Sequence, residues 1–411
     1  MAQQEGNQQG EAGTATTGWK AWLGLVPEEP FRLLFPLGIL VSVAGVLLWP
    51  LLYGGWLTFY PGVAHARLMM GGFVGAFSLG FLGTALPRMI SAPHLRGWEW
   101  CAILVFYLTA VGGYMASFIQ LGDGGMLAAL LFFFLVMMKR LVKDRQDVPP
   151  PGFVMVALGW LAALLGLFLF LLEGENEAGM VMTGARHQMA GLLFYQGFIL
   201  LPILGIGGFL FPRFVGLKTL QMFDESRTPP EGWGKKAVGA LVVGLLVLVS
   251  FWMEVMTWVL AAGLLRCAAV AWYVWGDVLI FRKAKSKEAL AFGLRAGLLL
   301  LLAAFPLAAF LPAYRVGVDH MIFISGFGLI ALMVATRVTL GHSGNSDLFT
   351  EKMLVMRVVI GSVLLAMATR VTAEFVPVIR VSHLNYAALC WSVAALLWLG
   401  WIGRRFFEWE D

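Results

Sequence analysis

Residues 289–313, ALAFGLRAGLLLLLAAFPLAAFLPA, decide the fold, because this run holds a single charged side chain, Arg295. A helix of about twenty such residues crosses the hydrocarbon core of a bilayer. In water the same helix would have no polar face to turn toward solvent. After a short break comes residues 318–340, VDHMIFISGFGLIALMVATRVTL, of similar length and character. Lipid offers the backbone no hydrogen bonds, so runs like these are helices.

Outward from that pair, the chain reads as about twelve spans: 33–53, 62–86, 98–119, 123–140, 152–172, 184–211, 234–253, 255–277, 289–313, 318–340, 353–374 and 382–403. With 60% hydrophobic and 13% charged residues among 411, no water-facing exterior is available. The fold class is therefore an all-α polytopic membrane protein. Its breaks are too short for a soluble domain, so residues 28–411 form a single transmembrane domain. Residues 1–27 are expected to be a disordered cytoplasmic tail, since the first 18 are polar and lack the apolar core of a signal peptide.

Charge sets the orientation. Arg88, Arg96, Lys139, Arg140, Lys143, Arg145, Arg213, Lys218, Lys235, Lys236, Arg282, Lys283, Lys285, Lys287, Lys352, Arg404 and Arg405 fall in one set of loops. The opposite set carries Glu173, Glu175 and Glu177. The positive-inside rule puts both termini in the cytoplasm. The formal charge of +5 is spread over these loops and forms no patch for nucleic acid. Cys101, Cys267 and Cys390 lie in separate apolar runs with no CxxC, which excludes a thioredoxin-type pair and attached c-type haem.

A threefold pattern underlies the twelve spans. The second, sixth and tenth each open with a histidine, His65, His187 and His320, and close with an arginine, Arg88, Arg213 and Arg337. Recurrence at every fourth span suggests a pseudo-repeat of three four-helix units. The three imidazoles are expected at similar depth near the outer surface, where they can converge on one axis as haem or copper ligands. Arg67, Arg186, Arg315, Arg370 and Arg380 share that side, and arginine forks suit the carboxylates of a haem. The alternative is structural, with histidines at the interface and arginines reaching the headgroups. His383 and His94 read as interfacial and solvated. Glu254 reads as a solvated turn and Asp277 as a partner of Arg282. In TRVTLGHSGNSDLF (336–349), His342 sits in a glycine turn and is either part of that turn or an inner-side ligand or proton carrier. No ladder of carboxylates crosses the membrane centre, which weighs against a transporter.

Four segments resemble the NnrS family of bacterial haem- and copper-containing membrane proteins linked to nitric oxide and nitrosative stress. They are EEPFRLLFPLG (28–38), AHARLMMGGFVGAFSLGFLGTALPRM (64–89), GIGGFLFPRF (205–214) and DHMIFISGFGLIALMVATRVTLGHSG (319–344). The family's W-H-A-H-E-M element is GVAHAR here, with Val63 and Ala66 replacing a histidine and the acid, and Phe209 replaces an arginine of the third segment. The four-helix plan also resembles the catalytic subunit of haem–copper oxidases, but residues 234–253 contain no histidine for an oxygen-reducing copper. The resemblance implies a multi-pass protein of the bacterial inner membrane, set in the lipid bilayer. It implies haem between His65 and His320, with Arg315 and Arg380 on its carboxylates. His187 and His342 are the further metal candidates, copper being the second metal. Nitric oxide or another small diatomic ligand is the implied partner, with the electron donor unidentified. Denitrification or respiratory redox chemistry is the setting. The rival expectation is a metal-free scaffold or partner subunit that kept the fold, or a transporter.

Overall fold

The computed structural model describes residues 18–173, 184–282, 288–350 and 353–408. Among them, twelve helices are long and apolar enough to span a membrane. They are α1 (Phe31–Tyr53), α2 (Gly62–Met89), α3 (Gly97–Met115), α4 (Ile119–Asp144), α5 (Phe153–Glu173), α6 (Ala185–Phe214), α7 (Trp233–Val255), α8 (Val259–Val278), α9 (Ala289–Phe310), α10 (Pro312–His342), α11 (Leu354–Phe375) and α12 (Pro377–Phe407). There are no strands among the described residues. An even number of spans leaves both chain ends on one side, here called the terminal face. Of the charges placed inside, Lys283, Lys285, Lys287 and Lys352 lie outside the described residues, as do Glu175 and Glu177 of the opposite set.

α2, α6 and α10 are the most buried spans, at 83, 78 and 67% of their apolar windows, so they stand at the middle of the bundle. Each contains a π-helical stretch one turn or so below its far end: Leu68–Val74, Leu192–Gly197 and Met321–Gly328. Such an insertion widens the helix and re-aims the side chains before it, and is common at functional sites. Each also ends in one and the same cap. Ile90, Val215 and Ser343 adopt φ near −110° and ψ near 10°, the next residue (Ser91, Gly216, Gly344) has positive φ, and Ala92, Leu217 and Asn345 donate back to Pro87, Pro212 and Leu340. This registers the three units and corrects one pairing. Arg88 and Arg213 are equivalent, but their counterpart in α10 is Gly341, while Arg337 lies a turn deeper.

The tight α3–α4 and α7–α8 connections are also alike, each turning on a non-glycine residue with positive φ, Ser117 (61°) and Thr257 (68°). Ser117 has no glycine to announce it, which is why the break between the third and fourth spans was expected about four residues later. A Cβ on Gly113 would lie 2.6 Å from the Gly122 backbone nitrogen, so glycine lets these two helices touch. α12 returns along α1 and closes the bundle.

The expected disordered tail needs a correction at its end. Residues 1–17 lie outside the described residues, but Trp19–Leu25 is a helix, and Trp22 is buried with its Nε1 donating to Phe406 O at 2.9 Å. Around it the chain ends are clasped. Arg32, 1% exposed, donates to Glu29 Oε2 (2.5 Å), to the carbonyls of Phe406 (3.1 Å) and Glu408 (2.6 Å), and to His342 O (3.0 Å). Glu29 also pairs with Arg88 and with His342 Nδ1 at 2.8 Å. Burial works against its ionisation, but the His342 hydrogen bond and the charges of His342, Arg32 and Arg88 outweigh it and hold the carboxyl down to about 2. A lowered folded-state pKa gives stability that is complete above the usual carboxyl value of about 4.3 and is lost as pH falls toward 2. The thermal midpoint of the purified protein should therefore decline across that window. Glu29→Gln should start lower at neutral pH and lose this part of the acid dependence; an unchanged slope would remove Glu29 as its source.

Candidate functional site

Three seams separate the units, and each carries a polar cluster toward the far face. Between the first and second units, Arg67 of α2 holds Asp123 of α4 through two hydrogen bonds (Nε–Oδ1 2.6 Å, Nη2–Oδ2 3.0 Å). It also donates to Tyr195 of α6 and stacks 3.7 Å from the Phe170 ring of α5, while Tyr114 donates to Asp123 at 2.9 Å. Both charged side chains are almost fully buried. Between the second and third units, Arg266 of α8 donates to Ser250 (3.0 Å), Gln196 (2.8 Å) and Glu254 (2.9 Å). Arg315 of α10 donates to Glu254 at 2.5 Å and to Asp319 at 3.3 Å. Glu254, expected as a solvated turn, is 4% exposed at the centre of this network. Asp277 is likewise corrected, since it accepts from Lys236 at 2.6 Å. Both seams are closed by paired charges, the second around a small cavity lined by Glu254, Arg266, Phe305, Arg315 and Asp319.

The third seam differs. It lies where the last unit meets the first, and it holds His65 of α2 and His320 of α10. The two rings and Arg370 of α11 lie within electrostatic reach of one another. Both side chains are half-buried. His65 Nδ1 is 2.9 Å from Gly45 O of α1, and His320 Nδ1 is 2.6 Å from Val316 O. A carbonyl accepts only from a protonated ring nitrogen, so these bonds fix Nδ1–H and leave each Nε2 with its lone pair free. Among the described residues neither Nε2 has a hydrogen-bond partner. Trp49 and Phe323 stand edge-on to the two rings, at 5.8 and 5.9 Å between centroids. Arg370 pairs with Glu374 at 3.2 Å, and Arg380 reaches the same carboxylate at 3.8 Å. The depths match as well. His65 precedes its cap residue Ile90 by 25 positions and His320 precedes Ser343 by 23, a difference of about 3 Å along a helix.

His187 does not join them. Its Nδ1 is 2.9 Å from Glu173 Oε2 and its ring lies 5.2 Å from Phe170. Phe170 is the ring under Arg67, and Arg67 follows His65 by two residues, about 200° around the helix. His187 therefore stands on the opposite side of α2. His342 is farther still, in the clasp on the terminal face. The four histidines proposed as metal ligands thus occupy three places, and no group of three or more His, Cys, Asp or Glu with ligand spacing exists among the described residues. Arg315, expected near haem carboxylates, is committed to Glu254 and Asp319, while Arg380 remains largely exposed beside Glu374. The guanidinium close to both rings is Arg370, which sequence alone left undistinguished among five arginines. His94, expected to be solvated, is half-buried and its Nδ1 has no partner; burial and the nearby Arg88 charge lower its pKa.

This geometry makes a control. His187→Ala should leave any property of the α2–α10 cleft unchanged and lose only its contacts with Glu173 and Phe170; a visible spectrum altered by that substitution would contradict the separation of the rings.

The model of the family described as NnrS protein matches residues 26–407. No curated protein matches the chain.

Proposed function

Because the chain belongs to the NnrS family, membrane proteins linked to nitric oxide stress, we propose that it holds one haem in the cleft between its first and third units and acts there in nitric oxide or related redox chemistry. The observation that supports this is the pair of free Nε2 atoms on α2 and α10, each fixed by a carbonyl behind it. Neutral imidazole in that tautomer is the ordinary protein ligand of haem iron. Bound there, haem would be held by His65 and His320 and would supply nitric oxide binding or electron transfer.

The chain's own residues do the rest. Gly45 and Val316 carbonyls orient the rings, and the π-helical stretches below them set their spacing. Arg370, already drawn to Glu374, offers a fork for a carboxylate on a bound group. Trp49, Tyr60 and Phe323 limit water around His65 and His320. Copper has less support, since His187 has no second ligand beyond Glu173 among the described residues. By the charge of its loops, the terminal face lies toward the cytoplasm of a bacterial inner membrane.

Protein purified from haem-replete cells should show an intense Soret band, with about one haem per chain by the pyridine assay, and the reduced spectrum should change on adding nitric oxide. A colourless preparation would instead favour a metal-free scaffold or partner subunit, the reading that Val63 and Ala66 in the second-helix motif support.

A further inference from the structure

On the terminal face, at the seam of the second and third units, Arg337 reaches the ring of Phe214, the residue that follows Arg213. Arg337 of α10 is sandwiched between the rings of Phe214 (4.7 Å) and Phe349 (4.4 Å). Arg213, the neighbour of Phe214 in α6, stacks on Phe209 at 4.3 Å, and its Nη2 reaches only Met222 Sδ at 3.8 Å. The two arginines lie within electrostatic reach of each other. Among the described residues neither has a carboxylate within ion-pair distance, and Arg337 makes no hydrogen bond. Glu288 adds one negative charge within reach of Arg337, so the pair stays net positive.

Like charges repel, yet packing leaves the two within electrostatic reach, with their ring faces occupied and no carboxylate on either N–H edge among the described residues. Stacking fixes the plane of a guanidinium while leaving its five donors available at the rim. Two such rims beside one another suit an anion with several acceptor oxygens, as phosphate has. Arg213 is at the helix end and Arg337 about a turn inside it, the level at which lipid headgroups meet a span.

We propose that Arg213 and Arg337 form a phosphate-binding site on the terminal face, its natural occupant the phosphodiester of an anionic phospholipid in that leaflet. The site is independent of the haem reading, because it lies on the other side of the membrane from His65 and His320.

The test uses the full-length protein in detergent with phosphatidylcholine, following its thermal midpoint while phosphatidylglycerol or inorganic phosphate is titrated. Phosphatidylglycerol should raise the midpoint saturably, and Arg213→Gln and Arg337→Gln should each weaken the apparent affinity about tenfold. Arg404→Gln, at an exposed arginine away from the pair, should respond as wild type. A saturable response to inorganic phosphate alone, lost in the same two variants, would keep the site but identify its occupant as a soluble phosphate. Equal responses in wild type and both variants, or none to either probe, would overturn the proposal. Should Arg337→Gln fail to fold, Arg213→Gln and Arg213→Lys decide it, the lysine retaining charge and part of the affinity.

Discussion

If the proposed haem is bound, His65→Ala and His320→Ala should each abolish its absorbance in the purified protein, or leave a weak high-spin spectrum, while the amount of protein in the membrane stays near wild type. The size of the effect follows from the count of ligands. Each ring is held through Nδ1 with its Nε2 left over, and no group of three or more histidine, cysteine or carboxylate ligands exists among the described residues. Removing either ring would leave one imidazole to hold the haem. The fold should tolerate the loss, because both rings are only half-buried and truncation removes one side chain–carbonyl hydrogen bond worth about 0.5–1.5 kcal/mol and one edge-on ring contact. The measurement is a visible spectrum normalised to protein, beside His187→Ala and His342→Ala as controls. Full haem content in both single alanine variants would place any haem elsewhere and end the proposal for this cleft.

The largest loss of stability is expected from Arg67→Ala. It strips the counter-charge from Asp123, whose side chain is 4% exposed, and removes the cation from the Phe170 ring. Breaking one side of a buried ion pair costs about 3–5 kcal/mol, because the remaining charge stays desolvated. Pairing Arg67→Met with Asp123→Asn should recover much of that, since no charge is then left alone and Asn can still accept from Tyr114. Thermal or detergent unfolding of the single and double variants gives the comparison. A single variant as stable as wild type would mean that water reaches Asp123 and that the first seam is not sealed.

How much of this was legible beforehand depends on the range of the interaction. The apolar runs gave the twelve spans, and the histidine recurrence at the second, sixth and tenth spans gave the threefold plan. The same recurrence singled out His65 and His320. It misled at His187, because helical phase at the far end depends on where each π-helical stretch begins, and at Arg337, because the register of the last turn is set by a backbone cap; no residue type marks either point. Arg67 was grouped with the outer-side arginines, Glu254 was read as a solvated turn and Asp123 was not singled out, all for a different reason. A charge near a span end looks alike whether it faces headgroups or a buried partner from another unit.

By itself, then, the order of residues determined that the chain crosses a membrane about twelve times and repeats its plan three times, since length, hydropathy and period are local properties that lipid acts on directly. Tertiary structure alone decided that two seams close on ion pairs and the third keeps two imidazoles with free nitrogens. That outcome depends on which side chains meet across helices far apart in sequence, and on carbonyls such as Gly45 that any residue could have supplied.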